Sequence, residues 1–141
     1  MLSALFAPSD AAAICVTVSL RVLPPGREVE PAEGRAIHCL DDGRVVVWEP
    51  ETACAAIACH AEPLDQEPRA GVVDRFGLPR SRVAFACAWS RAEVAATLAG
   101  VPVRSLLHHG AKQTGAPLVK TVTLVRPELG LVVSLGMVAG G

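Results

Sequence analysis

The 141-residue chain lacks a basic field: its 13 lysines and arginines stand against 14 aspartates and glutamates. Nothing in that balance would hold a nucleic-acid backbone or an anionic membrane surface, so neither is an expected partner. The chain is also short of charge of either sign, 19% against 51% hydrophobic residues, which excludes a disordered tail and points to one soluble domain with a core. A secretory leader is not expected, because the start "MLSALFAPSD" has no basic segment and Pro8, Ser9 and Asp10 interrupt its apolar run. The apolar stretch "LGLVVSLGMVAGG" is too short to span a bilayer. Internal repeats, low-complexity tracts, a Ser/His/Asp order and paired carboxylates are missing too. The cysteines (Cys15, Cys39, Cys54, Cys59, Cys87) are odd in number and read as reduced thiols in a cytosolic setting.

What is present is a series of short apolar segments. "AICVTVSLRVL" alternates with the period of a strand and stops at Pro24 and Pro25. "RAIHCLDDGRVVVWEP" reads as a hairpin closed at Asp42-Gly43, a pair that tolerates positive φ. Residues 50–81 mix an Ala-rich patch, read as a short helix, with prolines and glycines, read as a long loop. "RVAFACAW" has the alternating bulk of a buried strand. "SRAEVAATLAGVPVRSLL" opens with Ser90 and Glu93 in a capping-box spacing, and Gly100 and Pro102 permit a break before the helix ends near His109 and Gly110. "LVKTVTLV" fits a strand or a buried helical turn, "RPELG" a turn, and "LVVSLGMV" a final apolar element.

Few groups could carry chemistry. In "KQTGAPLVKTVTL" Lys120 and Thr121 supply the Lys-Thr of a phosphate-binding loop, but Val119 precedes the lysine where glycine is required, and Thr114 holds the other glycine position. Gly110 and Gly115 have the right gap and are followed by Ala116 and Pro117. Cys54, Cys59 and His60, with His38 and Cys39, are spaced unlike a zinc knuckle and read as buried thiols on a helix. His108 and His109 read as a helix C-terminus.

In their order, these segments resemble the N-terminal part of a kinesin motor domain over residues 14–138. "VTVSLRVLPP" is similar to the family's first strand, with Arg21 and Pro24 in place. A charged loop and hairpin follow. "VVDRFG" or "VAFACAW" takes the position of the next strand. The helix from Ser90 matches at Glu93, Val94, Pro102, Val103, Ser105, Leu107 and Gly110. "AKQTGAPLVKTVTL" then resembles the family's phosphate loop at Ala111, Gln113, Thr114, Gly115, Lys120, Thr121 and Thr123.

The resemblance implies an α/β fold: a partial P-loop, kinesin-motor-like mixed sheet with a small hairpin and flanking helices. It implies ATP at Gln113, Thr114, Gly115, Lys120 and Thr121, the Thr121 hydroxyl on Mg2+, and the adenine between Arg21 and Pro24. The partner would be the microtubule or another cytoskeletal protein, in the cytoplasm. Ala116 to Val119 replace the family's Ser-Gly, and Pro117 removes one amide from the cradle, so nucleotide binding is expected to be weak or lost. Neither switch motif is present, and autonomous motility is not expected. The reading requires the 110–121 segment to leave a central strand and open a helix at Lys120, with the first strand and the 90–109 helix built onto one sheet. A non-enzymatic interaction domain is the alternative, and a small α/β enzyme using Cys54, Cys59 or His60 around a cavity is the third reading.

Overall fold

The computed structural model describes residues 19–50, 56–113 and 119–138. Two three-stranded sheets and three helices make up these segments. The first sheet holds β1 (Leu20–Leu23), β2 (Ala36–Cys39) and β3 (Val45–Trp48), with β3 in the middle and antiparallel to both neighbours. The second holds β4 (Ala56–Pro63), β5 (Val119–Arg126) and β6 (Leu131–Val138), with β6 in the middle and again antiparallel throughout. The helices α1 (Ala70–Phe76), α2 (Arg82–Ala99) and α3 (Val103–Gln113) lie between β4 and β5 in the chain.

The central strands explain the layering. β6 alternates its side chains between two packed faces, as a strand must. Leu131, Val133 and Leu135 point at the first sheet and share a core with Ala36, Leu40, Val46, Trp48 and Ala61. Val132 and Ser134 point the other way, at Ala86, Cys87 and Ser90 of α2. A strand buried on both faces reads as a near-continuous apolar run, and "LVVSLGMV" is one, with Ser134 its one polar side chain. The order of layers is therefore first sheet, second sheet, α2. Val73, Phe85 and Trp89 form a smaller core where α1 and α3 pack on the far side of α2.

One polar group is built into the interface of α2 and the second sheet. Ser90 Oγ donates to the Cys87 carbonyl at 3.2 Å and lies 2.7 Å from Ser134 Oγ, which in turn lies 2.9 Å from Thr123 Oγ1. All three side chains are at most 1% exposed. With the carbonyl able only to accept, the order of donation runs from Thr123 to Ser134 to Ser90 to Cys87, and each hydroxyl proton is used once.

Several expectations hold locally. The hairpin closes as read: Leu40 N–H donates to Arg44 O at 2.9 Å, Gly43 N–H to Leu40 O at 3.0 Å, and the Asp42 carboxylate takes Arg44 N–H at 2.9 Å. Gly43 alone in the turn has positive φ, 93°, so this is a three-residue connection with glycine in the left-handed position rather than a two-residue turn. The break at Gly100 (φ 70°) is complete and yields two helices. "RPELG" forms a single 3-10 turn ending at Gly130.

Others are corrected. The Ala-rich patch is strand β4, because its alanines let two layers approach it: Ala58 and Ala61 are 6% and 2% exposed. "VVDRFG" falls in helix α1 and "RVAFACAW" in the first half of α2. The N-cap of α2 is Ser81, so Ser90 and Glu93 do not open a helix. α2 is packed on two sides, so apolar residues surround most of it and the period-3.6 signal is lost. α3 runs on to Gln113, beyond the expected end near His109. Residues 13–18 of the first expected strand lie outside the described residues.

Candidate functional site

The residues singled out for nucleotide lie apart in this architecture. A phosphate loop leaves a strand and opens a helix, so that free amides at the helix start face the anion. Here the order is reversed: α3 enters the segment, Gln113 is its last residue, and Lys120 and Thr121 are the second and third residues of strand β5. Thr114 and Gly115 lie outside the described residues. Arg21 belongs to the other sheet, where it pairs with Glu49 at 3.1 Å, and Pro24 follows the same strand. The sheet expected to be mixed is two antiparallel sheets, and the first strand and α2 belong to different layers. Among the described residues, Lys120 and Thr121 lie within a strand rather than at the start of a helix.

The described residues instead converge where the outer strands β2 and β4 of the two stacked sheets come together. β2 and β4 are outer strands of their sheets, so the outward amides of β4 need other partners. His38, on the inward face of β2 with Ala36, reaches across and accepts the Ala61 N–H on Nδ1 at 2.9 Å. An accepting Nδ1 puts the ring proton on Nε2. His60, one residue earlier on β4, stacks its ring on that of His38 with centroids 4.0 Å apart and planes 28° off parallel. Two residues further on, and so on the same face of the strand, Glu62 meets His60: the distance from Nε2 to Oε1 is 2.7 Å. The two side chains are 18% and 14% exposed, so the pair is largely removed from water yet open on one side.

That open side is a cleft of about 340 Å3, closed by the β2–β3 turn with Asp41 and Asp42, by Pro63 and Gln66, and by Trp89 and Glu93 of α2. Arg69 forms part of its rim, its guanidinium carbon 5.8 Å from the centre of the Trp89 ring. Burial pushes the His38 pKa down from 6.5 to about 4, and the neighbouring His60 pushes it the same way, against Glu62 and Asp41. His38 is therefore a neutral donor at physiological pH. Asp42 is held below the usual carboxylate range first by the Arg44 N–H.

Of the cysteines, Cys39 is exposed on the lining of the cleft, while Cys59 and Cys87 take no part in it. Cys59 faces away from the cleft, its Sγ 3.9 Å from the Val46 carbonyl, and burial pushes its thiol up to about 12, beyond use as a nucleophile. Burial also raises the Cys87 thiol, with Arg91 pulling against it. Cys54 lies outside the described residues. His108 and His109 are on α3 and contact each other edge to face. Among the described residues no group of three or more His, Cys, Asp or Glu is placed to hold a metal ion, and no helix is long and apolar enough to cross a membrane.

Sequence reasoning had His60 among its candidates but not Glu62. The usable signal was the His-x-Glu spacing, which brings two side chains together on a strand and separates them on a helix. Compared with family models, curated proteins and solved structures, the chain matches none. The kinesin resemblance gains no support there.

Proposed function

We propose that the protein binds a small polar molecule in the cleft between β2, β4 and α2, and acts on it by general acid–base chemistry. The observation that carries this reading is the His60–Glu62 pair: a histidine oriented by a carboxylate, half-enclosed, and beside a second imidazole of fixed tautomer. Glu62 takes the Nε2 proton of His60 in a hydrogen bond and leaves Nδ1 as the basic nitrogen. In a hydrolytic reaction Nδ1 removes a proton from water as the water attacks an acyl carbon, and passes that proton to the leaving oxygen or nitrogen as its bond to the carbon breaks. His38 Nε2–H is the available donor to the carbonyl oxygen as negative charge develops on it. Trp89 supplies an apolar wall, and the acidic rim of Asp41, Asp42 and Glu93 suits a substrate with donor groups.

The test uses p-nitrophenyl acetate as a probe ester, with the chain's four histidines replaced in turn. His60→Gln is expected to remove most of the protein-dependent hydrolysis, and Glu62→Gln to reduce it about tenfold. His108→Gln and His109→Gln should leave it unchanged. Activity that survives His60→Gln and disappears with His108 or His109 would contradict the assignment.

A further inference from the structure

Behind Arg69 lies a second recess, of about 260 Å3, lined by Arg69, Gly71, Val72, Arg75, Phe76 and Arg104. It gathers three arginines and no carboxylate. Six of the other arginines form ion pairs, Arg21 and Arg35 with Glu49, Arg44 with Asp42, Arg80 with Asp74, Arg82 with Glu67 and Arg126 with Glu128, whereas Arg27 and Arg91 form none among the described residues. Among the described residues, none of the three in the recess has such a partner. Two of them lie against aromatic rings instead: Arg69 on Trp89, and Arg75 on Phe76 with its guanidinium carbon 5.4 Å from the ring centre. Like charges gathered in one recess repel each other, and an oxyanion relieves that repulsion. A guanidinium carries the planar fork that binds a carboxylate or a phosphate through two hydrogen bonds.

Gly71 marks an open point in the lining of the recess. It lies within helix α1, outside the positive-φ glycines, and a Cβ there would meet nothing within 4 Å. Alanine would fit the backbone and favour the helix. The backbone therefore does not require glycine there, and the position has room for a test side chain.

We propose that Arg69, Arg75 and Arg104 form a binding site for a small organic oxyanion, a carboxylate or a phosphate monoester, whose apolar body lies on Val72 and Phe76. Because Arg69 belongs to both recesses, an anion held here extends toward His38 and His60. This extension, which makes the oxyanion a feature of the substrate, rests on the catalytic reading of the cleft. Anion binding itself does not.

The experiment follows backbone amide resonances of the labelled protein during titration with benzoate and with phenyl phosphate, at constant ionic strength set by sodium chloride. Saturable shifts centred on Gly71, Val72 and Phe76 are expected from at least one probe, and the tighter probe identifies the preferred oxyanion. Arg75→Gln and Arg104→Gln, both exposed positions, should each weaken binding about tenfold with the rest of the spectrum unchanged. Gly71→Leu should abolish binding by filling the recess. His60→Gln should leave the affinity unaltered, so a failed hydrolytic reading and a failed anion site give different results. Shifts that do not saturate, or equal affinity in the arginine variants, would overturn the proposal.

Discussion

Trp48→Ala is expected to destabilise the protein by about 3–5 kcal/mol, the cost of deleting a large buried aromatic and leaving a cavity. Trp48 is 0% exposed, in the middle strand of its sheet, opposite Leu20 of β1 on one side and Ala36 of β2 on the other. Its face is the one that meets Leu131, Val133 and Leu135 of β6. No neighbour can close the gap, because collapse would have to move a whole sheet. A single domain has only about 5–15 kcal/mol to lose, so the variant should be close to unfolding at physiological temperature. Urea denaturation should give a much lower midpoint with an unchanged slope. Val83→Ala, at a position 41% exposed, serves as the control and should change stability by less than about 0.5 kcal/mol. A small effect at Trp48 would mean that the two sheets do not pack through that residue.

The second large effect is expected at Ser134, where deletion of one hydroxyl disturbs two others. In Ser134→Ala the Thr123 hydroxyl loses its acceptor and Ser90 loses its donor, both in a dry interface. The cost should be about 1–3 kcal/mol, well above the methyl-sized change in volume. A variant with Ser90→Ala, Thr123→Val and Ser134→Ala together should lose less than the sum of the three single changes, because it leaves no hydroxyl without a partner. Strict additivity in chemical denaturation would show that the three do not act as one chain of hydrogen bonds.

The sequence was legible wherever local chemistry decides the backbone. Gly43, Gly100 and Gly130 each stop or turn the chain because only glycine takes their positive φ without strain, so the hairpin turn, the helix break and the short turn before β6 fall where the pattern puts them. It was misleading wherever packing overrides propensity. Alanine favours helix, yet β4 is a strand since small side chains allow close approach on both faces. α2 carries apolar residues towards both the sheet and the other helices, so its first eight residues have the bulk pattern of a strand. Those two errors hid the site together: His60 and Glu62 are partners only on a strand, and Trp89 and Glu93 share a wall only on a helix. The phosphate-loop reading lacks its expected strand-to-helix context for a related reason. Lys-Thr and Gln-Thr-Gly are short strings, and their meaning depends on a strand entering and a helix leaving. The chain has the opposite order.

The account rests on His38 bridging the sheets as a neutral acceptor at Nδ1, since this contact positions both histidines over the cleft. The direct measurement is an NMR pH titration of the imidazole carbons and nitrogens, with stability measured across the same range. His38 should keep a protonated Nε2 and a bare Nδ1, and titrate near pH 4. Between about pH 6.5 and 4 the unfolded chain binds a proton that the folded one refuses, so stability should fall as pH is lowered through that window. The loss should be about 1–3 kcal/mol once solvent screening of a half-buried ring is allowed for. In His38→Gln this slope should flatten. A His38 that titrates near 6.5 with its proton on Nδ1, and a stability indifferent to pH in that range, would contradict the geometry on which the site depends.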